Sequence, residues 1–245
     1  MTSQQKTLLC CRNPTLALEC PRPCFIARQV NTMALDFVRN GFPEQNLIDW
    51  CQQFCRPDQI FLDIGAHMGT YALSLAPHCK AVHAFECQRE TYYQLCGGVA
   101  LNAQWNVHAH QVALGRTNAP SVPLYIISLD GGGSSLLQPL SEPLLEQQYV
   151  ECRTLDSFHL TNVGFMKLDV EGMEEDVLRG SLQTLQRSDY PPILLEAWTD
   201  DRYAAQKKSL LAFLSDELHY QIHAVNGYPF MLLAVKPRST TSSPQ

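Results

Sequence analysis

Short apolar runs alternate with stretches of helical periodicity along most of the chain. Apolar runs bounded by turn-forming residues predict buried strands, and apolar residues three or four positions apart predict helices. The predicted strands are residues 59–63, 81–85, 106–114, 122–128, 163–169, 192–196, 219–225 and 228–235. The predicted helices are residues 44–55, 70–76, 88–101, 174–185 and 203–214. This order indicates an α/β fold with a mostly parallel sheet, helices on both faces and an antiparallel C-terminal hairpin.

The two ends of the chain lack this alternation. Residues 1–43 mix prolines and four cysteines with few apolar positions, so we expect an N-terminal extension that is irregular or helical. Residues 236–245 are polar and predict a flexible tail. Residues 44–235 remain as the predicted domain.

The composition fits a globular protein and excludes some partners. The chain has 245 residues, of which 45% are hydrophobic, and this is enough for a sizeable core. A net charge of −6 lacks the basic footprint of a nucleic-acid-binding protein. No stretch approaches the ~20 apolar residues of a membrane span, and the start lacks a signal-peptide core. We therefore expect a cytoplasmic protein with no nucleic-acid partner.

Ten cysteines are the unusual count in the composition. Cys20, Cys24, Cys51 and Cys55 could supply four zinc ligands. Packing as small hydrophobic residues is the stronger interpretation, because Cys51 and Cys55 lie one turn apart on a predicted helix. No residue is therefore assigned as a metal ligand.

Polar residues follow the predicted strands at the sheet edge where ligands bind in folds of this kind. Asp63 ends one strand, and Gly65 and Gly69 flank the following turn, where glycine lets the backbone approach a ligand closely. Glu86 follows the next strand, 23 residues after Asp63. An acid about 20 residues after a glycine loop binds a ribose diol in nucleotide-binding folds, although it also suits a helix N-terminus.

A third group of acids follows strand 163–169. Asp169 and Glu171 lie two positions apart, before the predicted helix. The dipole of that helix accounts for Glu174 and Glu175, which lie in its first turn. Asp169 and Glu171 precede the helix and need a different explanation.

Several of these residues belong to a series of motifs that occur in a fixed order. The motifs are Phe61–Thr70, Ala84–Glu86, Val112–Gly115, Thr154–Asp156, Lys167–Glu174, Val177–Gly180 and Ile193–Glu196. Together they resemble the FkbM family of S-adenosylmethionine-dependent methyltransferases, over about residues 44–235. The resemblance implies a Rossmann-like class I methyltransferase fold with a seven-stranded sheet. It also implies methyl transfer, usually to a hydroxyl of a small molecule such as a sugar or a polyketide.

The resemblance further implies which residues bind S-adenosylmethionine. Asp63 would lie near the methionine half of the cofactor, Glu86 would bind its ribose hydroxyls, and Val112 and Ala113 would lie near its adenine. The remaining residues of the predicted cofactor site are Gly65, Ala66, His67, Gly69 and Thr70. An acid at the end of a strand also suits the positive charge of a sulfonium group.

Methyl transfer to a hydroxyl group calls for a general base. Asp169 and Glu171 are the first candidates by position. His67, His108 and His110 are further candidates, because histidine titrates near neutral pH. Asp169 could alternatively hold Mg2+, since hard cations prefer carboxylates.

Three features leave alternatives open. The glycine-rich segment 130–135 is either a mobile cover for the cleft or a plain connection. Tyr203 and Lys207 match the tyrosine–lysine pair of a short-chain oxidoreductase, but the glycine loop lacks the third glycine of a dinucleotide-binding fingerprint. A non-catalytic binding module with the same fold is the other alternative, since a fold does not guarantee activity.

Overall fold

The computed structural model describes residues 6–9, 23–28, 44–128, 131–139, 143–197 and 204–237. The strands are β1 (Lys6–Leu9), β2 (Phe25–Arg28), β3 (Ile60–Ile64), β4 (Ala81–Phe85), β5 (Val107–His110), β6 (Ala113–Leu114), β7 (Ala119–Ile126), β8 (Glu146–Arg153), β9 (Val163–Leu168), β10 (Ile193–Glu196), β11 (Gln221–Val225) and β12 (Tyr228–Val235). The α-helices are α1 (Gln45–Cys51), α2 (Thr70–Leu75), α3 (Arg89–Asn102), α4 (Glu174–Arg179), α5 (Leu182–Arg187) and α6 (Ala204–Ala212). None of these helices is long and apolar enough to cross a membrane.

The main sheet has seven strands in the order β11-β12-β10-β9-β3-β4-β5. Strand β12 pairs antiparallel with both of its neighbours, while β10, β9, β3, β4 and β5 pair parallel. The predicted Rossmann-like α/β architecture with a C-terminal hairpin is confirmed. The chain runs outward from β3 to β5 on one side and from β9 to β10 on the other. This reversal opens a crevice at the carboxyl ends of β3 and β9, where such sheets bind ligands.

Successive residues of the central strands pack on opposite faces of the sheet. Phe61 belongs to the core cluster that contains residues of α1, α2 and α3, and Leu62 belongs to the cluster with residues of α4, α5 and α6. Both clusters exclude water, which explains why these strands are almost continuously apolar. Cys51 and Cys55 lie buried in the first cluster, as expected for small hydrophobic side chains.

A second sheet of three strands, in the order β6-β8-β7, was only partly predicted. The strand expected over residues 106–114 is divided into β5 and β6, and β6 joins the second sheet. Strand β8 was missed because its sequence does not alternate between apolar and polar residues. Only Gln148 and Cys152 are buried along it, so its pairing with β7 rather than its apolar pattern makes it a strand.

The helix predicted over residues 174–185 is two helices, α4 and α5. The break falls at Gly180, where a Cβ atom would lie 2.1 Å from the carbonyl oxygen of Gly115. Helix α5 then begins against the carboxylate of Asp156, which accepts the backbone N–H of Thr184 at 2.7 Å. Tertiary contacts therefore divide a segment whose apolar spacing is that of one helix.

Of the ten described residues in the N-terminal extension, eight lie in strands. Strands β1 and β2 form an antiparallel pair, and Ile26 of β2 packs where a Cβ on Gly97 of α3 would lie. Asn102 of α3 donates to the carbonyl of Cys24 and accepts its N–H, both at 2.8 Å. These contacts fasten the extension to the domain. At the other end, Lys236 lies 4.2 Å from the Tyr190 ring, and residues 238–245 of the predicted tail lie outside the described residues.

The N-terminal attachment can be tested with Asn102→Ala. Because the change removes both hydrogen bonds to Cys24, we expect a loss of about 1–3 kcal/mol in the free energy of unfolding. Hydrogen exchange of the Cys24 amide should also become faster. Leu101→Ala, at an exposed neighbour on the same helix, is the control and should change neither measurement. Unchanged exchange at Cys24 in Asn102→Ala would contradict the attachment.

Candidate active site

The glycine loop between β3 and α2 is pressed between the ends of two neighbouring strands. Gly65 has φ +78°, and a Cβ there would lie 1.7 Å from the backbone oxygen of Asp169. The N–H groups of Gly65 and Ala66 donate to the carbonyl of Phe85 at 3.0 and 2.9 Å. The loop thus needs glycine at position 65 for both its conformation and its contact with the chain after β9.

Asp63 lies inside the fold beneath this loop. Its side chain is buried, and Oδ2 accepts the N–H of Ala72 in the first turn of α2 at 2.8 Å. Its Oδ1 has no hydrogen-bond partner among the described residues. Burial raises the pKa of Asp63 to about 7, against the lowering effect of the Lys167 charge. The structure therefore gives Asp63 a role at the helix N-terminus, and its contact with a cofactor remains a prediction.

Glu86 joins the glycine loop to helix α3. One carboxylate oxygen accepts the N–H of His67 at 2.8 Å, and the other accepts the N–H of Gln88 at 2.7 Å. Burial raises the pKa of Glu86, and these two hydrogen bonds act against that rise. Glu86 thus holds the loop in shape, and its contact with a ribose remains a prediction.

The other predicted cofactor residues lie on segments that leave the same edge of the sheet. Gly69, with φ +92°, precedes α2, and Thr70 is its first residue. Val112 is half-buried after β5, and Ala113 is buried at the start of β6. The arrangement places the three predicted parts of the cofactor site in chain order along β3, β4 and β5.

Three carboxylates meet where β9 and β10 end. One oxygen each of Asp169, Glu171 and Glu196 lies within 4.8 Å of the others. Asp169 and Glu171 were predicted from their positions, whereas Glu196 was not, although it lies at the end of an apolar strand. This position at a strand end could have identified Glu196. Strands β9 and β10 are adjacent and parallel, so the residues that follow them lie at the same edge of the sheet.

Lys167 is a second residue of this edge for which no role was predicted. Its buried ammonium donates to the carboxylate of Asp169 at 2.8 Å and to the carbonyl of Gly65 at 3.1 Å. A lysine in a buried strand, two positions before an acid, was the available signal. Through these two hydrogen bonds, Lys167 connects the glycine loop to the carboxylate cluster.

The three carboxylates differ in proton affinity. Burial alone would raise the pKa of Asp169, but the Lys167 charge and a hydrogen bond with Glu196 lower it below its usual value. Burial and the negative charge of Asp169 raise the pKa of Glu196 to about 10 and that of Glu171 to about 7. Near neutral pH, Asp169 is therefore ionised, Glu196 is protonated and Glu171 is poised between the two forms.

These three acids are also the one group among the described residues with three preorganised metal-ligand atoms. The ammonium of Lys167 already holds an oxygen of Asp169 and supplies a positive charge there. The proton on Glu196 must also leave before that residue can bind a cation. The donor set suits Mg2+ in kind but is matched to an ammonium in its present arrangement.

The glycine-rich segment 131–135 lies over this cleft. The N–H of Gly133 donates to the Glu171 carboxylate at 3.0 Å, and the Ser134 hydroxyl donates to Gln88 at 2.8 Å. A Cβ on Gly131 would lie 3.1 Å from His67, so the segment also touches the glycine loop. It bridges the chain after β9 and the chain after β4, and a covering role remains a prediction.

The histidine candidates are separated by the fold. His67 lies in the glycine loop with φ +52°, beside the predicted cofactor site. His108 and His110 lie on β5, three strand spacings or about 14 Å from β9. The structure therefore does not bring His108 and His110 to the carboxylate cluster.

A sequence model of the methyltransferase FkbM domain matches residues 63–222. The chain belongs to the FkbM family of S-adenosylmethionine-dependent methyltransferases. The match includes the glycine loop, Glu86 and all three clustered carboxylates. No curated protein matches the chain by sequence.

Solved structures show the same fold at low sequence identity. Methyltransferase FkbM from Methylobacillus flagellatus KT has 18% identity and a TM-score of 0.51 over 73% of this chain. This chain spans 44% of that protein's length. An rRNA methylase from Streptococcus thermophilus has 14% identity and a TM-score of 0.51, covering 80% of this chain and 97% of its own. Precorrin-6y C5,15-methyltransferase from Geobacter metallireducens has 13% identity and a TM-score of 0.50, and the match covers 80% of this chain and 90% of that protein.

The alternative that this protein is a short-chain oxidoreductase rested on Tyr203 and Lys207, and the structure gives it no support. Lys207 donates to the carbonyl of Ala197 at 3.1 Å, and Tyr203 lies outside the described residues. The family match and the structural similarities all concern methyltransferases.

Gly65→Ala tests the contact between the glycine loop and the chain after β9. The new methyl group would collide with backbone rather than with a mobile side chain, so the two segments must separate. We expect a loss of about 1–3 kcal/mol in unfolding free energy beyond the cost of positive φ. Gly227→Ala is the matched control, with φ +81° and open space around its Cβ, and should cost about 1 kcal/mol. Equal losses in the two variants would contradict the close contact.

Proposed function

We propose that the protein transfers the methyl group of S-adenosylmethionine to a hydroxyl oxygen of a small molecule. The observation that carries the proposal is the cluster of Asp169, Glu171 and Glu196 beside the glycine loop. Carboxylates there can accept hydrogen bonds from hydroxyl groups and can take up a proton. The net charge of −6 is unfavourable for a nucleic-acid acceptor.

The residues along β3 and β4 fit the chemistry of the cofactor. Glu86 presents a buried carboxylate, as a ribose diol requires, and the glycine loop lets a ligand approach the backbone. Asp169, whose pKa is held low by Lys167, supplies negative charge near the predicted position of the sulfonium. When bound, S-adenosylmethionine supplies a methyl group on a positively charged sulfur, which is a good leaving group.

Glu171 is the residue best suited to accept the proton of the hydroxyl. Its pKa of about 7 lies near physiological pH, where a general base is most effective. Asp169 is held by Lys167 and is a weaker base, and Glu196 already carries a proton. Asp169 and Lys167 are therefore positioning residues in this proposal.

The reaction is an in-line displacement. S-adenosylmethionine would supply the methyl carbon to the hydroxyl oxygen and would keep the electron pair of the broken carbon–sulfur bond. The hydroxyl proton passes to Glu171 and then to solvent. The protein contributes by holding the oxygen and the methyl group in line, about 3–3.5 Å apart.

Two isosteric variants separate the proposed roles of the acids. Glu171→Gln should lower kcat by at least about a hundredfold, because it removes the base, while S-adenosylmethionine affinity stays near that of the wild type. Glu86→Gln should do the reverse and raise the Kd for the cofactor by about tenfold or more, because it removes a charged acceptor. Calorimetry with S-adenosylmethionine gives Kd, and labelled methyl transfer to a panel of sugars and polyketides gives the rate.

Three outcomes would contradict the proposal. Absence of binding heat for both S-adenosylmethionine and S-adenosylhomocysteine would refute the cofactor. Tight binding without methyl transfer to any hydroxylated compound would favour a non-catalytic module. Transfer that persists in Glu171→Gln would refute the base.

The pH dependence of kcat/KM gives a separate test of Glu171. A base must be ionised, and the raised pKa of Glu171 means that the protonated form dominates below about pH 7. The rate should therefore fall about tenfold per pH unit below the pKa and level off above it. A rate that is flat through neutral pH would contradict the assignment.

A further inference from the structure

Three imidazoles stand together on one face of the sheet, at its edge and outside the proposed active site. His83 on β4 and His108 on β5 are direct register partners, and His110 lies two positions beyond His108. Alternate residues of a strand point to the same face, so all three side chains share one face. His110 stacks on Phe85 at 4.7 Å, and Phe158 packs against both rings at 5.1 Å.

The nitrogens of two of these rings are about as far apart as two ligands on one metal ion. Nδ1 of His83 lies 3.0 Å from Nε2 of His110. Two nitrogens bound tetrahedrally to Zn2+ at about 2.0–2.1 Å lie about 3.3 Å apart. The His83 ring centroid is 5.2 Å from that of His110 and 5.0 Å from that of His108. His108 is exposed, which leaves room for its ring to turn toward the other two.

The hydrogen bond between His83 and His110 can be replaced by a bridging metal ion. A single hydrogen lies between two nitrogens whose ring planes are 6° apart. On metal binding it can move to the other nitrogen of its own ring, so no proton need be released.

We propose that His83, His108 and His110 form a binding site for a divalent transition-metal ion such as Zn2+. His83 and His110 already face each other, and His108 completes the set by rotating its ring. The ion would tie the four-residue edge strand β5 to β4 through side chains. This site does not depend on the proposed methyl transfer.

The positive charge of Arg153 limits the affinity for a metal ion. The Arg153 guanidinium stacks on the Phe158 ring at 4.2 Å, and its charge acts on His110. This charge opposes a cation, and one ligand must first rotate. We therefore expect micromolar binding, weaker than that of a structural zinc site.

The experiment is a calorimetric titration of the full-length, reduced, metal-free protein with Zn2+. The wild type should bind one ion at this site and should melt at a higher temperature in its presence. His110→Gln and His83→Gln should each weaken binding at least about tenfold and abolish the thermal shift, because glutamine keeps polarity without a good metal-ligand nitrogen. His108→Gln should have a smaller effect in the same direction.

Two control variants and one spectrum distinguish this site from others in the chain. His223→Ala, at an exposed histidine on β11, and Glu196→Gln, in the carboxylate cluster, should both leave the titration unchanged. With Co2+ as the probe, imidazole ligands should give no thiolate-to-metal charge-transfer band in the near ultraviolet. Wild-type affinity in folded His110→Gln, loss of binding in Glu196→Gln, or a thiolate band would each overturn the proposal.

Discussion

One buried ammonium holds together the sheet edge on which the proposed active site depends. Lys167 lies on β9, next to β3, at the point where the strand order reverses. It binds both the glycine-loop carbonyl at Gly65 and the carboxylate of Asp169. A buried charge is costly unless it is paired and hydrogen-bonded, and here each partner meets that need for the other. The loop and the acids are thus parts of one electrostatic unit.

This unit also separates the acids by proton affinity. Lys167 keeps Asp169 ionised, and the negative Asp169 then acts with burial to hold a proton on Glu196 and to raise the pKa of Glu171. Groups whose surroundings push their pKa values apart can take different roles at one pH. The cleft can therefore present a fixed negative charge, a hydrogen-bond donor and a base side by side.

The main sheet was predictable because its strands are apolar on both faces and its acids follow strand ends. The same logic located Asp169, Glu171 and Glu86. The burial of Asp63 under α2 was not predictable, because an acid at the end of a strand has the same sequence pattern whether it faces the cleft or the core. Strand β8 and the break at Gly180 escaped prediction because both depend on tertiary contacts, with β7 and with Gly115. The pairing of Lys167 likewise requires knowing that β3 and β9 are neighbours.

The most direct test of the role of Lys167 is the pH dependence of unfolding free energy in Lys167→Met. Without the ammonium, the buried Asp63 and the half-buried Asp169 lose their compensating charge, which raises their pKa values in the folded state. The lost stability should therefore be about 3–5 kcal/mol at pH values above neutral and should shrink as acid protonates them. Lys208→Met, at an exposed lysine, should match the wild type throughout. A Lys167→Met protein as stable as the wild type, or one whose loss is independent of pH, would contradict the account.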